Sequence, residues 1–152
     1  MSLKTVIFDY GGVLTTPARD SIDAWLNADQ ADAESFSTTL KAWLDRSVPI
    51  GTRIHRLETG ELTIAEFNEL LAAELRSHDG TPVNPDGLLT RLLARMRPDP
   101  AMFDLARELV RTAVTSNSWS NTYPRERLAE MFDPVVISSE SACASPMKRF
   151  TS

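Results

Sequence analysis

The sequence predicts an α/β protein in which a parallel sheet is interrupted, after its first strand, by an all-helical segment. Three observations lead there. Thr5-Val6-Ile7-Phe8 is an apolar, β-branched run that ends in one carboxylate, Asp9, and is broken at once by Gly11-Gly12. That is the pattern of a buried strand delivering a side chain onto a tight loop. From about Arg19 to Met96 strand runs disappear and apolar residues recur at helical spacing. Beyond Pro98, helical stretches alternate with two short apolar runs, Thr112-Ala113-Val114-Thr115 and Val135-Val136-Ile137.

Bulk properties set the frame. The chain has 152 residues, 42% hydrophobic and 24% charged, with a net charge of −5, which is enough apolar material for one domain's core. The acidic balance and the lack of a basic stripe argue against nucleic acid or an anionic membrane as partner. One cysteine, Cys143, rules out an intrachain disulfide and suits a cytoplasmic location. No signal peptide or membrane-spanning run is expected.

Taken in order, Thr16-Pro17 breaks the chain after the first strand, and Ser21 is read as the cap of a helix carrying Ile22, Trp25 and Leu26. Phe36, Leu40, Trp43 and Leu44 mark a second helix. Pro49 opens a third, with Ile50, Ile54 and Leu57 on one face and Thr59-Gly60 as its stop. Thr63 followed by Glu66 forms a capping box for the fourth, whose stripe is Ile64, Phe67, Leu70, Leu71 and Leu75 before His78-Asp79-Gly80. A short fifth runs from Leu88 to Met96. His55 and His78 have no second ligand at metal spacing and read as surface or helix-end residues. Trp25 and Trp43 read as packing residues.

Asp99 with Pro100 starts a helix carrying Met102, Phe103, Leu105, Ala106 and Leu109. It feeds the strand Thr112–Thr115, which ends in Ser116-Asn117-Ser118. A helix between Ser120 and Phe132, starting in practice near Tyr123, leads through Asp133-Pro134 to the third strand, Val135-Val136-Ile137-Ser138-Ser139-Glu140.

Asp9 at a strand's carboxyl end is placed where open α/β sheets bind ligands. There it could act as a nucleophile or hold a divalent cation. A turn-forming Asp before Gly-Gly is the bland alternative. The whole stretch, hydrophobic strand, Asp9-Tyr10-Gly11-Gly12-Val13-Leu14-Thr15, resembles the first motif of the haloacid dehalogenase (HAD) superfamily, in which the Asp is the nucleophile. Family phosphatases usually carry a second Asp two residues on, as acid and base, where this chain has Gly11. The strand end at Ser116-Asn117, about one hundred residues later, resembles the second motif. There a hydroxyl and the next backbone N–H bind the transferring phosphoryl group, chemistry that suits neutral donors fixed at a strand end.

The resemblance implies a HAD-like Rossmannoid sheet, incomplete here, with an all-helical cap inserted after the first strand. The core is residues 1–16 and 97–140, and the cap is residues 17–96. The family continues after the third strand with a Lys-Pro-Asp motif, and later with paired acids that bind magnesium. In this chain Ser145 stands where that Lys belongs, Lys148 falls three residues late, and no acidic pair follows. Synonymous codons exist for Glu140–Ser152 that, read from the last base of the Glu140 codon, encode Val-Gly-Val-Arg-Lys-Pro-Asp-Glu-Glu-Ile-Tyr-Lys. Residues 141–152 are therefore expected to be an out-of-frame tail, produced by a one-base deletion after Glu140. DNA in the shifted frame is expected to encode the missing motifs.

What the resemblance implies for function is a magnesium-dependent phosphatase acting through an aspartyl-phosphate on a small phosphorylated substrate, and inactive in this form. Asp9 is the catalytic residue, Ser116 and Asn117 bind phosphate, and Asp9 with the Gly11 carbonyl binds magnesium. A haloacid dehalogenase-like enzyme is the enzymatic alternative. A non-catalytic remnant or interaction module is the other. In the family's strand order the strand after the third motif pairs with the first, so its loss is expected to leave Val6-Ile7-Phe8 on an open edge and to favour a homodimer through it.

Overall fold

The apolar run at the start of the chain becomes strand β1 (Val6–Asp9), which pairs in parallel with β2 (Thr112–Ser116), and β2 pairs in parallel with β3 (Val135–Ile137). In this computed structural model residues 5–45, 47, 51–109, 111–117, 119 and 123–138 are described. The β1–β2 register sets Val6 against Thr112 and Asp9 against Thr115, so both strands reach the same rim of the sheet at their carboxyl ends. Among the described residues β1 has a neighbouring strand on one side only.

Between β1 and β2 the chain forms helices α1 (Ala18–Ala28), α2 (Ala33–Leu44), α3 (Arg53–Glu58), α4 (Ile64–Glu74) and α5 (Leu88–Leu92). Their inward residues make one hydrophobic cluster, with Trp25, Phe36, Trp43, Phe67, Leu71 and Leu89 among its buried members. Trp25 meets Phe36 with ring centroids 5.3 Å apart, and Trp43 meets Phe67 at 5.5 Å. Both tryptophans are thus packing residues. A second cluster sits against the sheet. Phe8 and Val114 pack there with Phe103 and Ala106 of α6 (Pro100–Arg107), Leu128 of α7 (Arg125–Met131), and Phe132.

Most helix signals act as expected. Thr63 and Glu66 form the reciprocal capping box of α4, Asp99 caps α6 through the Ala101 N–H, and Pro100 occupies its first turn. His78 is exposed in a turn and His55 is half-buried in α3. Ser21 requires a correction. It lies inside α1 and is buried, its hydroxyl donating to the Leu92 carbonyl at 2.7 Å and accepting from the Arg95 N–H at 3.0 Å. The helix instead begins directly after Pro17, so this serine ties α1 to the end of α5. The fourth helix also stops earlier than the sequence suggests, at Glu74, because Ser77 bridges to Ala31 and the His78 N–H donates to the Gln30 carbonyl. The fifth ends at Leu92 rather than Met96. Pro49, Ile50, Ser118, Ser120, Ser139, Glu140 and the whole of 141–152, with Cys143, Ser145 and Lys148, lie outside the described residues.

The turn after α4 carries a local electrostatic signature. The Asp79 carboxylate accepts hydrogen bonds from the Thr81 hydroxyl at 2.6 Å, the Thr81 N–H at 3.0 Å and the Ser77 hydroxyl at 2.8 Å. The two Thr81 bonds, then the Ser77 bond, hold its pKa down to about 2. Because the folded value is depressed, whatever this turn contributes to stability is present above the ordinary value of 3.8 and is lost as pH falls towards about 2. An NMR titration of Thr81→Val is expected to move the Asp79 midpoint back up towards the ordinary value, with the other carboxylates unchanged. An unmoved midpoint would show that these hydrogen bonds do not persist in solution.

The two faces of the sheet differ. Residues paired in parallel strands share a face, and the face bearing Phe8 and Val114 is covered by α6 and α7. On the other face Ile7 is 68% exposed and Val136 is 42% exposed. Parallel sheets ordinarily have both faces covered, whereas here Ile7 and Val136 stand exposed on either side of the buried Ala113.

Candidate active site

The loop after β1 is built so that Asp9 faces outward while its neighbours do not. Phe8 and Tyr10 are buried on either side of the exposed carboxylate. The Tyr10 N–H donates to Asp9 Oδ1 at 2.7 Å, which fixes the side chain's direction and satisfies one of its oxygens. The chain then makes one wide turn through Leu14, possible because Gly12 adopts φ +77°, a left-handed conformation that costs other residues about 1–2 kcal/mol. The Thr15 hydroxyl accepts the Gly12 N–H at 2.8 Å and closes the turn.

Ser116, the last residue of β2, is buried at the same rim. Its hydroxyl shares a 3.0 Å hydrogen bond with the Tyr123 hydroxyl. The Tyr123 ring in turn lies 4.8 Å from the Tyr10 ring, centroid to centroid. Burial, and then the nearby Tyr123, push the Tyr10 phenol above its ordinary pKa of 10.0, so it stays neutral at physiological pH. The two tyrosines thus brace the Asp9 loop and the Ser116 strand end against each other.

Asp9, Gly11, Ser116 and Asn117 all line one cleft of about 290 Å³ between the sheet rim and the helices. The sequence reading placed these residues on two distant segments, and the fold brings them to a single opening. It missed Tyr123, Trp119 and Glu58. The Trp119 indole N–H donates to Glu58 Oε1 at 2.8 Å, joining the loop after β2 to the end of α3, and both residues line the cleft. An aromatic residue two positions beyond Asn117 was the one local hint, but periodicity carries no sign of a partner 61 residues earlier.

As a metal site the rim offers hard oxygen donors, the Asp9 carboxylate and the Gly11 backbone. That suits magnesium, a cation usually held by one or two carboxylates together with waters and substrate phosphate. Among the described residues no three His, Cys, Asp or Glu side chains converge. Nor does any Lys or Arg of the described residues line the cleft, which carries two carboxylates, Asp9 and Glu58.

This arrangement defines a class: a parallel α/β sheet with a helical unit inserted after its first strand and a cleft at the strands' carboxyl ends. Among solved structures the chain is similar to one from Porphyromonas gingivalis described as "a predicted HAD-like family hydrolase", at 20% identity and TM-score 0.54, covering 97% of this chain and 72% of that one. The fold is therefore HAD-like. No family model and no curated protein matches the chain. Among the described residues no helix is long and apolar enough to cross a membrane.

Proposed function

We propose that the cleft is the active site of a HAD-like hydrolase, a magnesium-dependent phosphatase acting through an aspartyl-phosphate. One observation carries this reading. Asp9 and Gly11 from the first loop, and Ser116 and Asn117 from about one hundred residues later, line a single opening at the ends of adjacent parallel strands. In the proposed reaction the free oxygen of Asp9 attacks phosphorus in line, forming an O–P bond as the ester O–P bond breaks. The leaving alcohol takes its proton from solvent, since Gly11 stands where an acid would serve. Water then attacks phosphorus, releasing phosphate and restoring the carboxylate. The Ser116 hydroxyl, held by Tyr123, and the Asn117 N–H would steady the equatorial oxygens. Asp9 and the Gly11 carbonyl would hold magnesium, which would supply the positive charge that a phosphate dianion needs beside two carboxylates.

With Ser145 in the place of the phosphate-binding Lys, the 152-residue protein is expected to hydrolyse 4-nitrophenyl phosphate no faster than buffer. A version that continues after Glu140 in the shifted frame is expected to turn it over with magnesium. This ester suits the test because its leaving group needs no acid. Magnesium-dependent turnover by the 152-residue chain would show the missing groups to be dispensable, and an inactive restored chain would favour a binding role.

The reading also includes self-association. β1 presents unpaired backbone groups on one side among the described residues, an edge that a second copy can extend. Light scattering at rising concentration is expected to show a dimer. A clean monomer throughout would count against the edge contact.

A further inference from the structure

The walls of the cleft differ sharply in chemistry. Its polar lining lies at the strand ends, in Asp9, Gly11, Ser116 and Asn117, with Glu58 of α3 bonded to Trp119 just beyond them. The helical side is Ile22, Phe36, Leu40, Phe67, Leu71 and Leu93, without a polar atom in any of these side chains. These same residues belong to or pack against the helical unit's own core. Protein cores are close-packed and keep few voids larger than a water molecule. A space of about 290 Å³ that opens from such a core onto Asp9 is therefore room for a ligand rather than a packing accident.

We infer that this side of the cleft takes an uncharged, apolar group of roughly eight to ten carbons, carried by the substrate as the leaving group of a phosphate monoester. This rests on the phosphatase reading above. The size follows from comparison with apolar voids of about 150 Å³ that hold a benzene ring: this cleft has roughly twice that room, with part of it left for the phosphate. The chemistry follows from what the wall cannot do. A sugar or nucleoside brings hydroxyls that would lose water there and find no partners, and each unmet polar group is costly. A second anionic group would meet Glu58, whose carboxylate is already turned to the Trp119 indole. An alkyl chain or fused aryl ring loses nothing and buries its surface.

The test is calorimetric and needs no turnover, so it uses the 152-residue protein. With magnesium present, n-octyl phosphate, ethyl phosphate, glucose 6-phosphate and n-octanol are titrated in turn. Octyl phosphate is expected to bind at least about 100-fold more tightly than ethyl phosphate, since each buried methylene is worth about fourfold. Its binding should show a negative heat-capacity change. Leu40→Trp, filling the cleft from a half-buried position, should shrink that ratio below about tenfold. Met96→Gln at the half-buried lining should do so as well, should the first variant fail to fold. Equal affinity for octyl and ethyl phosphate, or a preference for glucose 6-phosphate, overturns the inference whatever the chain catalyses. Octanol binding as tightly as octyl phosphate, in the frame-restored Asp9→Asn chain as well as in this one, would uphold the apolar site and sink the phosphate reading, so the two failures are distinguishable.

Discussion

Asp9→Asn in the frame-restored chain should abolish magnesium-dependent phosphate ester hydrolysis, with a fall on the order of 10⁴ to 10⁶ in kcat, the range seen when a member of a catalytic unit is removed. The substitution keeps the side chain's shape. Its amide oxygen can still accept the Tyr10 N–H that orients Asp9 now, so the loop should keep its form and the melting temperature should hold. What is lost is the nucleophile and the negative charge that would hold magnesium. Steady-state kinetics, with circular dichroism on the same sample, separate these effects. Activity within tenfold of the parent would mean that Asp9 is a turn residue and that the chemistry lies elsewhere. Ser116→Ala should cost less, about 10² to 10³, as expected for one charge-stabilising donor.

The second large effect concerns stability. Phe103 is fully buried where α6 meets the sheet, edge-on to Phe132 at 6.3 Å between centroids, with the Arg127 guanidinium 4.1 Å from its ring centre. Phe103→Ala removes the ring from all of these contacts at once and leaves a cavity, which typically costs about 3–5 kcal/mol. Against a usual total of about 5–15 kcal/mol, that is a large fraction, and the melting temperature should fall by about 8–15 °C. Leu105→Ala, two positions away but 48% exposed, should change stability by no more than about 0.5 kcal/mol. Denaturant unfolding checks both. Similar midpoints for the two variants would mean that the second cluster is not packed as described.

The contrast between Phe103 and Leu105 also shows how far the sequence could be read. Apolar identity assigned both residues to a helix, and the helix is there. Which of them faces the sheet depends on how α6 lies across β1 and β2, and that is a long-range matter. The first strand, the capping box of α4 and the Asp99-Pro100 start of α6 were legible because each is written within a few consecutive residues. The convergence of Asp9 with Ser116 was legible through the resemblance of their two segments to one family's first and second motifs. Both stand at strand ends, and parallel strands with one-way connections bring such ends to one rim. Ser21 misled because its local setting suits a cap, while its partners are Leu92 and Arg95, more than seventy residues on. Trp119 with Glu58, and Tyr123 with Ser116, escaped for the same cause. Each is a choice of partner made by tertiary packing, and no spacing rule records it. The apolar wall was present in the sequence as helical stripes, but stripes do not reveal where a core has been left unfilled.

The two places where the chain crosses between sheet and helices lie against each other. Thr15 bridges to Pro98, the Thr16 N–H donates to the Arg97 carbonyl at 2.8 Å, and the Asp99 N–H donates to the Leu14 carbonyl at 2.8 Å. The helical unit is therefore a detour that leaves the sheet and returns to the same spot. Bringing β1 and β2 together across roughly 80 loose residues would cost about 4 kcal/mol of chain entropy. With the unit folded and its two ends clasped, that separation shrinks to a few residues on each side. The closure cost is then met by helix packing and hardly at all by the three short strands. In topological terms the unit behaves as a stitched-on loop. Changes of length or sequence within the helices are transmitted to Asp9 only through the cleft wall and this clasp, which leaves the helical unit free to diverge in what it encloses while the rim stays as it is.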